Sequence, residues 1–410
     1  MRDRIPSEGK AGRVLLTPEN GDAPFYAIME MADEPLEVGT PPTTANLLTD
    51  DTEVALFGSA ADRTVNDAFL GISAQLKLIM SDMASITVTV KDHAGNPVKG
   101  VLVASVYSET GSAVYTNASG VASGYIAEGS QTISVKGYAD LSDVSKTITV
   151  VKGSAVSETL TPTRKNFLKV TSSKSIKFSG NVSTIDASVV GAGAAGQSAV
   201  ANGSDALSGA GGSGGNVITT DGITVAPNTS YPIVIGAGGK ASATATGGGT
   251  SSAFGMTATG GSAGSGGVIG GTDATTTLST AGAGNGIGGK GVNGRHNAAV
   301  AGNAGGNGKV PAYISFTETA LLGAGGGSGG TAREDGGPGG TEGGGAGGNG
   351  VRDSANVGGD ATANTGSGGG GGGGYVMFSD DWKAYAGIGG NGAAGVVTAR
   401  IHFDFGDLAA

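Results

Sequence analysis

Hydrophobic and polar residues alternate with a period of two in short bursts along most of this chain. Between Gly, Asn and Pro turns such as AGNPVKG (94–100) lie ITVTV (86–90), VLVASVYS (101–108), GYIAEG (124–129), TISVKGY (132–138) and KTITVVKG (146–153). Alternation places every second side chain on one face, the signature of a half-buried strand, and short strands at regular spacing predict a β-sandwich over 86–163. Further bursts follow at STIDASVV (183–190), GNVITTDGITV (215–225), SYPIVIG (230–236), AYISF (312–316) and GVVTARIHF (395–403). At the other end, GRVLLTPENG and APFYAIMEMAD predict a hairpin over 11–33 that turns at Asn20-Gly21. The expected fold class is mainly β and multidomain, and 410 residues is enough for about two to four domains.

Helical spacing is clearest over 64–84, TVNDAFLGISAQLKLIMSDMA, where Thr64 can cap the first turn. Val65, Phe69, Ile72, Leu76, Ile79 and Met83 fall at alternating steps of four and three, a heptad seam. Phe69, Leu76 and Met83 take a positions and Val65, Ile72 and Ile79 take d positions, a choice that favours trimers or tetramers over dimers. The expectation is a short trimeric coiled coil over 62–85; the alternative is an amphipathic helix packed on its own domain.

Composition changes the picture beyond residue 190. Most of the 82 glycines lie there, in runs such as GAGGGSGG (323–330), GGPGGTEGGGAGGNG (336–350) and GSGGGGGGGY (366–375). A flexible linker has no need of the strand-like bursts interspersed with these runs. Many runs read X-G-G. An extended strand with three residues per turn would then turn bare backbone to its neighbours on two sides and project every third side chain outward. Glycine loses more backbone entropy on folding than any other residue, so such strands need lateral hydrogen bonds and close packing. Collagen, the rival use of this geometry, requires strict triplets and abundant proline. Only Pro227, Pro232, Pro311 and Pro338 occur beyond Gly191, and the triplet phase keeps breaking. The expectation for 164–410 is a glycine-rich β domain with polyglycine-II strands.

Resemblances attach to three of these blocks. FLKVTSSKSIKFSGNVSTIDASVVGAGAAG, then GGSGGNVITTDGITVAPNTSYPIVIGAGG, GMTATGG, GGGGGGGY and GVVTARI resemble, in that order, the glycine-rich domain at the C-termini of phage and prophage tail fibre proteins. More loosely they resemble polyglycine-II adhesins at fibre tips. Arg13 to Gly58, with LLTPENG, FYA, EVGTP, ANLL and ALFG in order, resembles a short module near the N-termini of tail proteins of Gram-positive phages, which implies a particle-attachment end over 1–61. The sandwich pattern V-x-D, G-x-P-V-x-G and I-S-V resembles the transthyretin-like, carboxypeptidase-regulatory-like spacer domains of surface proteins.

Charge narrows the partners. A net charge of −10 argues against nucleic acid and anionic membranes. With no cysteine, neither disulfides nor thiolate metal sites are expected. The first residues lack the apolar core of a signal peptide, and no apolar run approaches a membrane span. Synthesis in a host cytoplasm and residence in a virion tail are expected.

Catalytic motifs fail on inspection. Gly191, Gly193 and Gly196 follow a strand as G-x-G-x-x-G, but QSAVANGSDALSGAGGSGG cannot form the helix whose N-terminus would hold a pyrophosphate. GIGGKG (286–291) lacks the Ser or Thr of a phosphate loop after Lys290, and GGTDA and GGDA lack the calcium-repeat register. His93, His296 and His402 have no metal or triad spacing. No enzyme activity, cofactor or metal is expected.

The best binding candidate is GGGYVMFSDDWKAYAGIGG (372–390), where Tyr375, Phe378, Asp380, Asp381, Trp382, Lys383 and Tyr385 interrupt the glycines. Aromatic faces with polar edges suit sugars or protein loops; the alternative is a small core capping the glycine strands. Gly294-Arg295-His296-Asn297 and Arg333-Glu334-Asp335 are further candidate tips, or simply solvated turns. The resemblance implies a homotrimeric tail fibre or baseplate-associated receptor-binding protein whose partners are a bacterial surface receptor and, through its N-terminus, other virion proteins. A structural head or collar appendage is the alternative, and a polysaccharide-degrading tailspike a third reading.

Overall fold

The computed structural model describes residues 13–16, 25–28, 69–70, 73 and 83–404, except 203–204, 265–285, 289–292, 296–298, 332, 352–356 and 378–382. The chain divides into two compact units, Met1–Met80 and Ser81–Ala410.

In the first unit, Arg13–Leu16 pairs antiparallel with Phe25–Ile28, in register from Arg13↔Ile28 to Leu16↔Phe25. That is the hairpin the alternation predicts; its turn lies outside the described residues. Of the heptad seam, Val65, Ile72, Leu76 and Ile79 lie outside the described residues, while Phe69 is helical and 67% exposed.

The second unit opens where the predicted helix was to end. Met83 sits on a bend and Ala84–Val90 is already a strand, with Ala84, Ile86, Val88 and Val90 buried. Here the period-two pattern wins over the heptad, because it begins at Ala84 and each inward residue enters a core. No helix among the described residues is long and apolar enough to cross a membrane.

Residues 84–160 form one seven-stranded sheet, and not the two separately bonded sheets of the expected sandwich. The path runs Val144–Val150, Gly129–Val135, Leu102–Tyr107, Val121–Ile126, Ala84–Val90, Ala155–Leu160, with Ala113–Tyr115 beside Leu102–Tyr107. Leu102–Tyr107 joins the two halves: Ala104 pairs with Ser134 on one side and Tyr107 with Tyr125 on the other. Ser105, at φ 68°, makes the kink that lets one strand serve both, and its hydroxyl donates to the Thr132 carbonyl at 2.9 Å. The edge strands Val144–Val150 and Ala155–Leu160 approach each other, with Lys146 and Glu158 2.5 Å apart, so the sheet is nearly closed and barrel-like. Ile86, Val103, Ile126, Ile133, Leu141 and Leu160 are among the residues that fill it.

Beyond it, an antiparallel sheet runs Phe167–Val170, Val396–Phe403, Val182–Val190, Val217–Thr224. Val170, Ile185, Val189, Val397 and Ile401 pack with Phe178, Ile233 and Ala258 on one face. Polar bonds weld this sheet to the first. Buried Asp140 accepts from the Ser179 backbone N–H at 2.9 Å and from its hydroxyl at 2.5 Å. Tyr138 Oη accepts from the Leu102 N–H and donates to Asn228 Oδ1, and Asn228 Nδ2 donates to the Gly100 carbonyl.

Three strands of the sheet run on into the glycine region: Val182–Val190 into 191–197, and 209–215 and 387–395 into Val217–Thr224 and Val396–Phe403. Val190, Val217 and Val396 meet Ala312 and Leu322 in a small apolar cluster where they do so. No helix follows Val190, so the dinucleotide-like glycines serve a different end.

Candidate functional site

The segment 366–374 lies at the centre of the glycine region, and its hydrogen bonds repeat every third residue. Gly368 and Gly371 donate to the carbonyls of Ala324 and Gly327; Gly369 and Gly372 donate to those of Ala194 and Gln197; Gly370 donates to Gly359. Its carbonyls accept in the same rhythm: Gly368 and Gly371 from Gly345 and Gly348, Gly369 and Gly372 from Gly212 and Gly209, Gly370 and Gly373 from Gly390 and Gly387. These bonds span 2.7–3.0 Å. A step of three is the period of a strand with three residues per turn. Each bond contributes about 1 kcal/mol net, which offsets roughly the 0.5–1 kcal/mol by which a glycine is costlier than alanine to order.

Glycine is needed here for space. A Cβ on Gly369 would meet the Gly390 carbonyl, and one on Gly370 the Ala346 carbonyl, closer than any real Cβ contact. At the edge of the lattice the X-G-G rhythm emerges as burial: Gly337 and Gly340 are buried around exposed Pro338, and Gly345 and Gly348 around exposed Ala346.

The turns at 341–343 and 363–365 lie at the end near the sheet, where Gly366 adjoins Val190, and other turns lie at the far end. There the central strand becomes Gly374–Met377 and folds back as Lys383–Ala386, with Tyr375 opposite Tyr385 and Met377 opposite Lys383. Tyr375 is 4% exposed, and its ring lies 6.4 Å from that of half-buried Tyr385, tilted by 41°. Phe378, Asp380, Asp381 and Trp382 lie outside the described residues. Beside this hairpin stands another, Val200–Asn202 with Asp205–Leu207: a Cβ on Gly374 would touch Ala206 Cβ at 3.2 Å. Asn293–Arg295 adds to it, Arg295 opposite Asp205 and Gly294 opposite Ala206, while His296 and Asn297 lie outside the described residues. Thr331 bridges both Gly374 and Val300, so the turn with Arg333 (φ 80°), Glu334 and Asp335 leaves from the same place.

The structure therefore brings together three stretches that the sequence offers separately. It also adds residues that sequence reasoning passed over. Ile388 is 52% exposed and Val357 58% exposed, and they adjoin through the bond from Gly358 N–H to the Ile388 carbonyl. The available signal was a lone large apolar residue inside a glycine run, where no side-chain core exists to receive it. The result is an end that carries half-buried Tyr385, exposed Ile388 and Val357, and the charged turn Arg333–Asp335.

His93 and His402 have different partners. His93 Nδ1 lies 3.3 Å from Thr163 Oγ1, and His402 Nε2 lies 2.8 Å from Asp186 Oδ2 on the four-stranded sheet. Burial pushes the Asp186 carboxyl up, but bonds from the Gly222 N–H and His402, with the charges of His402 and Arg400, outweigh it and hold it below its ordinary value. Among the described residues no three His, Asp or Glu side chains gather as a metal site.

No curated protein matches the chain. A family model described as a glycine-rich domain matches residues 169–402. The match begins in the strand Phe167–Val170 and ends in Val396–Phe403, adjacent partners in the antiparallel sheet, so it takes in the whole lattice between them. On that match, which covers more than half of its length, the chain belongs to the glycine-rich domain family.

Proposed function

We propose that this protein is a receptor-binding component of a phage tail fibre or baseplate, and that the far end of the glycine lattice touches the bacterial surface. The observation that carries this reading is the gathering of the 374–386 hairpin, Asn293–Arg295 and the Arg333–Asp335 turn at one end of a bonded scaffold. We read the third-residue repeat as polyglycine II. A scaffold of that kind holds its turns in place before binding, which lowers the ordering cost of each contact. No reaction is assigned; recognition alone accounts for the tip.

Adsorption to host cells tests the reading. The full chain carrying Trp382→Ala and Ile388→Ser is expected to bind at least tenfold more weakly, with an unchanged melting temperature. Undiminished adsorption by the folded variant would return the protein to the structural class, a head or collar appendage. That second reading has its own support in Tyr375, whose burial against Tyr385 makes the hairpin partly a cap on the lattice.

The heptad seam supports a trimer, and the sheet of 84–160 is read as a transthyretin- or Ig-like spacer. Three tips on one stalk multiply weak contacts. Light scattering is expected to give three times the chain mass of 39.2 kDa. Phe69→Asp with Leu76→Asp is expected to give the mass of one chain, since charge at a positions opposes the seam. A monomer in the unaltered protein rejects the stalk.

A further inference from the structure

We propose that a cleft at the junction of the first sheet and the antiparallel sheet binds an anionic glycan, a sugar chain bearing carboxylate or phosphate groups. The cleft has a volume of about 470 Å³, and Tyr138, Lys165, Phe167, Lys169 and Lys174 line it. A further ammonium group adjoins: Lys177 Nζ lies 4.4 Å above the Tyr138 ring, beside the wall that Gly137 forms. Lys165, Lys169 and Lys174 are exposed, and Phe167 and Lys177 are half-buried.

Backbone pairing fixes the four lysines in place. Lys165 N–H donates to the Asp140 carbonyl at 2.8 Å, and Ala139 N–H to the Lys177 carbonyl at 2.9 Å. Lys169 stands on Phe167–Val170, an edge strand held by Val396–Phe403, and Lys174 begins Lys174–Ile176, which pairs with Tyr231–Ile233. Two carboxylates lie nearby, each bonded to backbone. Asp140 is buried on Ser179, and Asp143 Oδ1 accepts from the Gly137 N–H at 2.9 Å. None of the four lysines joins an ion pair among the described residues.

The like charges of Lys165, Lys169 and Lys174, which join no ion pair among the described residues, repel one another around the cleft, in a chain whose net charge is −10. A ligand of opposite sign relieves that repulsion, and a lysine-rimmed concavity focuses its field on an arriving anion. The Phe167 ring and the lysine stems offer apolar surface for a sugar ring between the charged heads. Lys177 occupies a face of Tyr138, which favours a glycan over a nucleic acid that needs open rings for its bases to stack on. The inference stands apart from the tip: substitutions at Trp382 and Ile388 are expected to leave it untouched.

Isothermal titration calorimetry of the full chain at low ionic strength tests it, with tetragalacturonate and phosphopentamannose as the carboxylate and phosphate probes and mannopentaose as neutral control. One or both charged sugars are expected to bind and the neutral one not to. Lys165→Gln, Lys169→Gln and Lys174→Gln together are expected to weaken binding at least tenfold, while Lys91→Gln, Lys146→Gln and Lys240→Gln change it less than twofold. All six side chains are exposed, so both variants should keep the parent melting temperature. The proposal is overturned if neither charged sugar binds, if the two triple variants weaken binding equally, or if an oligothymidylate binds as tightly as the better sugar.

Discussion

The Gly370→Ala protein is expected to melt roughly 6–12 °C below the parent, the shift that about 3 kcal/mol produces in a domain of this size. Over-packing in a dense interior typically costs about 1–3 kcal/mol, because side chains shift to relieve it. Here the added methyl meets the Ala346 carbonyl, part of the backbone of an adjoining lattice strand. That strand cannot move without loosening the bonds from Gly345 to Gly368, from Gly348 to Gly371 and from Gly359 to Ala346. The effect should sit at the top of the range or above it. Gly111→Ala is the matched comparison: its φ is +76° and a Cβ there would touch nothing within 4 Å. Left-handed backbone costs an L-residue about 1–2 kcal/mol, and the stiffer unfolded chain returns about 0.4–1 kcal/mol. Thermal unfolding should separate the two variants clearly, and amide exchange should quicken across 324–327 and 345–348 only in the first. Equal, small shifts would mean that the lattice is too loose to feel a methyl group.

Asp92→Ala is expected to cost about 3–5 kcal/mol, the range for removing one partner of a buried ion pair. Arg164 Nε lies 2.5 Å from Asp92 Oδ2, and the two side chains are 9% and 3% exposed. Arg164 also donates to the Pro97 carbonyl at 3.2 Å and holds its guanidinium 4.8 Å from the Phe403 ring, so it ties the loop after Ala84–Val90 to the last strand of the antiparallel sheet. Removing the carboxylate leaves a buried charge and strips acceptors from the Ala94 and Asn96 N–H groups. Adding Arg164→Met should recover part of the loss, since an apolar pair of like volume can replace a buried ion pair. Simple additivity in that cycle would show that the two residues act independently.

The same carboxylate sets a pH dependence. Burial pushes the Asp92 carboxyl up, and the hydrogen bonds from Arg164 and Asn96, with the Arg164 charge, outweigh it, so it lies below its ordinary 3.8. A group depressed in the folded state contributes stability above the unfolded value and loses it as pH falls through the folded one. Asp140 carries the opposite sign. Burial raises it despite its bonds to Ser179, so its contribution is present in acid, below 3.8, and fades as pH rises through the folded value. Urea titrations across acid pH should therefore show a shallower acid loss in Asp92→Ala than in the parent.

Most strands of the first sheet and the hairpin of the first unit were legible because each half-buried strand writes its own alternation. Ala155–Leu160 was missed: SAVSETL is polar enough to pass for a turn, and it joins the sheet by parallel pairing with Ala84–Val90, a long-range contact. Phe167–Val170 and Lys174–Ile176 were too short to show a period. The heptad reading ran past its end at Met83 because an apolar residue fits either pattern there. At the tip, aromatics among glycines drew attention to 372–390, but nothing in YVMFSDDWKAY shows that the stretch pairs as a hairpin or that Tyr375 turns inward onto Tyr385.

By itself the sequence determined that the glycine runs beyond 190 could not build a side-chain core and that their backbones had to bond to one another, because glycine offers nothing else. It could not say which run lies beside which: the runs are nearly identical and carry no side chains to tell partners apart. Tertiary structure decided that through the strands on which the runs are mounted. Val190 faces Val217 on one side and Val396 on the other, and that register sets 191–197, 209–215 and 387–395 side by side. The common end of the tips and the meeting of four lysines in one cleft follow from the same cause, since both are fixed by pairings between residues far apart in the chain.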